Sequence, residues 1–289
     1  MSLLQVAILA VIQGLAELLP VSSSAHVVVA EKLMGLDPSS PPMTLLLVML
    51  HTGTMLAVIV YFFSRWRGTY FESFAAFRSF AWRLMLATIL TGVIGEGIIR
   101  LVEKTIFAGS PHAEIEDLFS HLELIAPALA LVGVLIIVAD ILTRRRRAST
   151  QPGVDDVSAK QAAIIGIVQG LSLPFRGFSR SGSTISAGML AGTAKSRAES
   201  FSFALAVVLT PAVVGRELLR LVHSQRLEGS GAITTAMLPS FLGAFLAFLA
   251  GLLALRWLSQ WLEAGRWYLF GIYCVLAAIL VAALRYLGY

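Results

Sequence analysis

Gln13-Gly14-Leu15-Ala16-Glu17-Leu18-Leu19-Pro20-Val21-Ser22-Ser23-Ser24-Ala25-His26 interrupts an apolar run with a carboxylate, a proline, three serines and a histidine. A second stretch, Gln169-Gly170-Leu171-Ser172-Leu173-Pro174-Phe175-Arg176-Gly177-Phe178-Ser179-Arg180-Ser181-Gly182-Ser183-Thr184, opens on the same tripeptide and breaks its own run with arginines, glycines and hydroxyls. The surrounding segments, 3–36 and 161–195, are each divided into halves a little short for the roughly 20 residues of a membrane crossing. Two re-entrant helix hairpins are therefore expected, because irregular backbone at membrane depth survives only inside protein or along a wet cavity. The plainer alternative is two ordinary short spans joined by a polar loop.

Composition sets the same solvent for the rest of the chain. Hydrophobic residues make up 57% and charged residues 13% of 289, where a soluble domain carries about a quarter charged residues. Mean hydropathy is +0.82. Beyond the two broken segments, six stretches have the length and character of spans: 43–64, 81–101, 124–143, 201–222, 232–256 and 267–287. The expected fold is all-α: six transmembrane helices plus two re-entrant hairpins. The net charge of +5 arises from basic residues clustered in short loops, which is the pattern of membrane orientation and excludes a nucleic-acid groove binder. Cys274 is the only cysteine and lies in an apolar run, so a disulfide framework and a cysteine metal site are both excluded. The first residues lack a signal peptide's basic segment and cleavage site, so a mature chain from Met1 is expected.

Arg65, Arg67 and Arg78, and later Arg144 to Arg147, place two loops in the cytoplasm. The loop 102–123 between them, with Glu103, Glu114, Glu116, Asp117 and Glu123 against Lys104, belongs outside. The first hairpin then dips in from outside and the second from the cytoplasm, each followed by three spans. Together with the shared Gln-Gly-Leu, this predicts an inverted-topology repeat of 1–147 and 161–289, with 148–160 as linker and the site near the midplane. Glu96 and Asp140, near span ends, are expected to face water. Trp66, Trp82, Trp257 and Trp267 are expected in an aromatic belt.

The first segment carries the reactive groups. Gln13 and Glu17 are four apart and share a helix face. A carboxylate in an apolar helix costs about 2.5–3.5 kcal/mol on insertion scales, so Glu17 suits a base or metal ligand better than a helix-end residue reaching water. Ser22, Ser23 and Ser24 offer nucleophilic oxygens or phosphate donors, and His26 a proton relay or nucleophilic nitrogen. The second segment supplies positive charge. Gly177 lets backbone approach closely, and a helix starting near Ser181 aims N–H groups at an oxyanion. Arg180 adds a planar fork, with hydroxyls from Ser179, Ser181 and Thr184. The bland reading of Arg180 is snorkelling to the interface. Joined, the two tips make a phosphoryl-transfer site. His51, in Leu50-His51-Thr52-Gly53-Thr54, reads as a polar notch lining the cavity.

These residues resemble the bacterial undecaprenyl pyrophosphate phosphatases, the bacitracin-resistance proteins. Gln13, Glu17 and Pro20 to His26 match the family's first motif, and Gly177, Ser179, Arg180, Ser181 and Thr184 its second. Leu50 to Thr54, Lys195 to Glu199 and Phe201 to Phe203 are similar to further landmarks, in the family's order. Arg176 departs from the pattern, standing where the family usually has proline. The resemblance implies hydrolysis of a polyprenyl diphosphate in the bacterial inner membrane, on the outer face, with a divalent cation, Mg²⁺ or Ca²⁺. The cation falls to Glu17, with Gln13 as a second donor. Catalysis then falls to Glu17, Ser23, His26 and Arg180, with Gln13, Ser22, Ser24, Arg176, Gly177, Ser179, Ser181 and Thr184 binding substrate. Either Ser23 or His26 attacks, or water activated by His26 does. The partners are the lipid substrate and the bilayer, with a homodimer compatible. The rival reading is a lipid-phosphate flippase or anion transporter.

Overall fold

The computed structural model describes residues 1–37, 40–106, 122–147, 157–228 and 231–286, and among these every regular element is a helix. Two helix–break–helix segments are present where the sequence interrupts itself. The first is α1 (Leu3–Leu18) and α2 (Ser23–Leu33); α3 (Pro41–Tyr70), α4 (Phe74–Ile106) and α5 (Leu122–Arg147) follow. The second is α6 (Ala159–Ser172) and α7 (Arg180–Leu190), followed by α8 (Lys195–Glu228), α9 (Gly231–Glu263) and α10 (Trp267–Tyr286). Five helices, α3, α4, α5, α9 and α10, are long and apolar enough to cross a bilayer, as expected of a multi-pass membrane protein. The expected span 201–222 lies inside α8, and several of its side chains fall outside the described residues. Most of the acidic loop, with Glu114, Glu116 and Asp117, and most of the expected linker also lie outside them.

The two broken segments share local construction. Ser2 caps α1 and Ser158 caps α6, each in a reciprocal capping box with the glutamine three residues on, Gln5 and Gln161. Leu19 is already extended, and Pro20 after it disfavours helical backbone there, so α1 stops. Pro174 stops α6 differently: Leu173 before it is still helical, and the proline lacks the N–H that would continue the ladder. After α2 and after α7, a glycine at positive φ turns the chain: Gly35 N–H donates to the Lys32 carbonyl and Gly192 N–H to that of Met189. The next amides, of Leu36 and Thr193, reach back to Glu31 and Gly188. Both helices thus close with the same Schellman arrangement. At 16, 11, 14 and 11 residues, these helices measure about 24, 16, 21 and 16 Å. Each is shorter than the roughly 30 Å hydrocarbon core.

The chain forms two compact units, each drawing on both halves of the sequence. The first comprises 1–19, 23–65 and 206–258. Its core gathers Val6, Leu9 and Ala10 of α1, Val27 of α2, Met43, Leu46 and Leu50 of α3, and Ala247 of α9. Alanines of α9 seat the other helices at backbone distance. A Cβ at Gly14 of α1 would lie 2.7 Å from the Ala247 carbonyl oxygen, and one at Gly53 of α3 would run into the Ala244 carbonyl. Gly251 of α9 faces Leu18 of α1 and Ala57 of α3 together. Small residues at such crossings are how membrane helices gain dispersion contacts without a hydrophobic driving force.

The second unit comprises 20–22, 66–205 and 259–289. Here α6 packs on α4 and α7, and α5 on α7 and α10. Its buried charges are matched. Asp140 is 1% exposed, accepting from Lys195 Nζ at 3.1 Å and Arg144 Nε at 2.9 Å. This corrects the expectation that Asp140 faces water, and the reason is that two cations satisfy both carboxylate oxygens inside the protein. Glu96 does face solvent, paired with Arg100. Trp82 and Trp257 are exposed as belt residues are, but Trp267 is fully buried and donates to Ser186 Oγ, and the partly buried Trp66 donates to Ser200 Oγ.

Gly53→Ala should destabilise the protein by about 1–3 kcal/mol through overpacking against α9. Gly68→Ala, on the same helix with open space around it, should not. Thermal unfolding in detergent compares the two.

Candidate active site

The first cluster lies entirely within the first unit. Glu17 sits at the last turn of α1, one turn beyond Gln13, and its side chain is 10% exposed. Gln13 Nε2 donates to Glu17 Oε2 at 3.2 Å, so the shared helix face expected from their spacing is present. Ser23 opens α2, and its hydroxyl donates to the same oxygen at 2.5 Å. That is the short range of a hydrogen bond to an ionised acceptor. His26 is half-buried one turn along α2, on the face that Ser23 begins. Ser24, between them, is half-buried.

His51 of α3 also meets this carboxylate, which sequence reasoning left as a polar notch. Its Nδ1 lies 2.8 Å from the Leu47 carbonyl oxygen, and its Nε2 lies 3.9 Å from Glu17 Oε2. The sequence signal was the Leu50-to-Thr54 landmark; what it lacked was the partner, 34 positions away.

The second cluster belongs to the second unit. From Pro174 the chain runs through tight turns, Phe175 N–H to the Ser172 carbonyl and Phe178 N–H to that of Phe175. Gly177 has φ +94°, and a Cβ there would lie 2.6 Å from the Ile125 carbonyl oxygen. Both conformation and space therefore require glycine. Ser179 is the N-cap of α7, its hydroxyl accepting from Gly182 N–H at 3.2 Å and lying 3.4 Å from Ser181 Oγ. Thr184 Oγ1 donates to the Arg180 carbonyl at 2.8 Å and Ser183 Oγ to the same oxygen at 3.0 Å, which binds the first turn of α7 together. Arg180, its first residue, and Arg176 in the preceding turn are both half-buried. The result is a capped helix N-terminus, where the positive end of the helix dipole lies, with Arg180 as its first residue and Arg176 in the turn before it.

The elbow of the first segment, Pro20 to Ser22, packs in this second unit. The Pro20 carbonyl accepts from Cys274 Sγ at 3.2 Å, and Gly182 leaves room for the Pro20 ring. Ser22 is buried, and at φ 68° it is the one non-glycine residue with positive φ among the described residues. A left-handed serine costs about 1–2 kcal/mol. Such strain is characteristic of backbone constrained at a functional turn.

A divalent cation is compatible with the donor set only in one form. No group of three or more His, Cys, Asp or Glu residues that could hold a metal occurs among the described residues. Glu17, with Gln13 beside it, offers one carboxylate, and Mg²⁺ is commonly bound by one or two carboxylates completed by substrate phosphates and water.

The family model for bacitracin resistance protein BacA matches residues 6–280. The chain is 57% identical over 278 residues to undecaprenyl-diphosphatase 2 of Acinetobacter baylyi, covering 95% of each chain. It is 35% identical over 290 residues to undecaprenyl-diphosphatase 2 of Burkholderia ambifaria, covering 96% of this chain and 95% of the relative. To undecaprenyl-diphosphatase of Anaeromyxobacter sp. it is 34% identical over 289 residues, covering 100% and 90%.

Gly177→Ala should cost at least about 1–2 kcal/mol from the left-handed backbone alone, with the Ile125 contact adding to it. Thermal unfolding of the purified variant should show the loss.

Proposed function

The chain belongs to the bacitracin resistance protein BacA family, and on that premise we propose how its two broken helix segments carry out one hydrolysis. The protein is an undecaprenyl-diphosphatase: it cleaves the anhydride of undecaprenyl diphosphate, giving undecaprenyl phosphate and inorganic phosphate and so recycling the carrier lipid. The observation that carries the mechanism is the 2.5 Å hydrogen bond from Ser23 Oγ to Glu17 Oε2. A hydroxyl held on a buried carboxylate is a nucleophile with its base in place. A transporter of lipid phosphate would need the arginines and glycines but not this pair.

In this reading Ser23 Oγ attacks the terminal phosphorus while Glu17 accepts its proton. The bridging P–O bond breaks and undecaprenyl phosphate departs, leaving a phosphoserine that water hydrolyses. His26, on the same face of α2, contacts the transferring phosphoryl group and moves a proton there. Arg180 and Arg176 neutralise phosphate charge, and the α7 N-terminus with Ser179 and Ser181 donates to its oxygens. Thr184 and Gly177 keep that turn in shape. Ser22 and Ser24 flank the nucleophile and reach the phosphates. Glu17, with Gln13, would hold a Mg²⁺ or Ca²⁺ ion, which when bound supplies charge stabilisation to the phosphate oxygens.

The topology proposed with it has six crossings, α8 being the sixth, and α1–α2 and α6–α7 as re-entrant pairs. Their lengths and their repeated caps support that reading, and with it the halves 1–147 and 161–289 are read as inverted repeats. With Arg65, Arg67 and Arg78 cytoplasmic, the first pair opens to the outer side of the bacterial inner membrane.

Phosphate release from C55 prenyl diphosphate by purified protein in detergent tests the assignment, with Mg²⁺, Ca²⁺ or chelator present. Glu17→Ala should lower kcat by about 10²–10⁴-fold, the range of a lost general base. Arg180→Ala should lower it by about 10²–10³-fold, as for one lost transition-state donor. His26→Ala and chelator should each suppress release. Binding of the lipid without release by the unmodified protein would overturn the mechanism and favour transport.

A further inference from the structure

We propose that His51 is a further catalytic residue, which with Glu17 holds the water that hydrolyses the phosphorylated Ser23. The inference rests on Ser23 as nucleophile. A backbone carbonyl only accepts hydrogen bonds, so the 2.8 Å contact of Nδ1 with the Leu47 carbonyl requires the ring proton on Nδ1. In the neutral ring Nε2 is then an acceptor, and it is Nε2 that faces Glu17 Oε2 at 3.9 Å. Two acceptors at that distance do not hydrogen-bond each other. One water donating about 2.8 Å hydrogen bonds to both, at roughly a right angle, spans ~4 Å and joins them.

A water held this way has both protons committed and its lone pairs directed away from the two acceptors. It shares Glu17 Oε2 with Ser23 Oγ, which lies 2.5 Å from that oxygen and carries the phosphoryl group after the first step. In the second step the water oxygen bonds to phosphorus and the P–Oγ bond breaks. One water proton passes to the Glu17 carboxylate and from it to Ser23 Oγ, so Glu17 leaves the step as it entered, while His51 only accepts a hydrogen bond. The ring is 38% exposed and the carboxylate 10%, so the open side of the pair is that of His51.

Packing fixes the register. Gly53, two residues beyond His51, is seated on Ala244 of α9, and Gly14, three before Glu17, on Ala247 and Ala250 of the same helix. Two contacts at backbone distance on one helix hold α1 and α3 in the alignment that sets Nε2 opposite Oε2. A histidine anchored through its other nitrogen to a main-chain carbonyl is a pre-oriented acceptor, the arrangement used wherever an imidazole must point one way.

The test is steady-state and quenched-flow kinetics on three variants of the full chain in detergent, with C55 prenyl diphosphate and Mg²⁺. His51→Phe keeps the ring's bulk without nitrogen, His51→Asn keeps only the donor to Leu47, and His51→Gln returns an acceptor near the position of Nε2. For Phe and Asn, kcat should fall about 10–100-fold, the usual cost of losing an orienting partner. KM should fall with it, leaving kcat/KM within about two-fold, because the first half-reaction is intact. Quenched Phe variant should carry phosphate on Ser23, absent once Ser23→Ala is added, and Gln should recover most of kcat. Loss of kcat/KM in step with kcat without a phosphoprotein, or unchanged rates in the Phe variant, would overturn the role of His51. No release by the unmodified protein, or full release by Ser23→Ala, would instead overturn the mechanism on which it rests.

Discussion

Glu17 is a carboxylate, 10% exposed, at the end of a short apolar helix, and the first unit is arranged around the cost of that burial. On insertion scales an acidic residue at membrane depth is unfavourable by about 2.5–3.5 kcal/mol. Gln13 and Ser23 offset it by donating to one of its oxygens, at 3.2 and 2.5 Å. Those donors come from different helices, so the chain must break between α1 and α2 for Ser23 to arrive. The third neighbour, His51, arrives on α3 only because Gly14 and Gly53 let two helices lie directly on α9. The packing of alanine against glycine is thus a condition for the chemistry as well as for stability.

The second unit carries its positive charge, Arg176 and Arg180, in and just after a break that ends in a capped helix N-terminus. Its break spends seven residues of irregular chain, from Leu173 to Ser179, and includes a glycine that no other residue can replace without a clash. The buried polar helix that follows is tolerable because its hydroxyls bond back to its own carbonyls or to a neighbour, as Ser183, Thr184 and Ser186 do. Deeper charges follow the same rule. Asp140, Lys195 and Arg144 compensate one another, and Ser259 donates to the buried Glu199 at 2.5 Å. The two broken segments are alike in caps and closing glycines yet differ where chemistry is concerned: the position of Glu17 is taken by Leu173, and that of Ser24 by Arg180. Acid and base groups stand in one segment, cations in the other.

The solvent, the helical class, the two breaks and the residues at their tips are all legible along the chain. Each of those is a local property: apolar run length, a proline that ends a helix, a four-residue spacing that puts Gln13 beside Glu17. The tertiary structure decided what depends on partners distant in the chain. Asp140 read as a span-end residue because Lys195, 55 positions away, is invisible to periodicity. Trp267 read as a belt residue because its acceptor, Ser186, lies on another helix. His51 read as a notch for the same reason, and the mixing of both chain halves in each compact unit has no local signature. A helix announces its own ends through hydrogen bonds it cannot make, whereas which buried charge meets which is settled only when helices find their seats and unpaired polar groups leave no alternative.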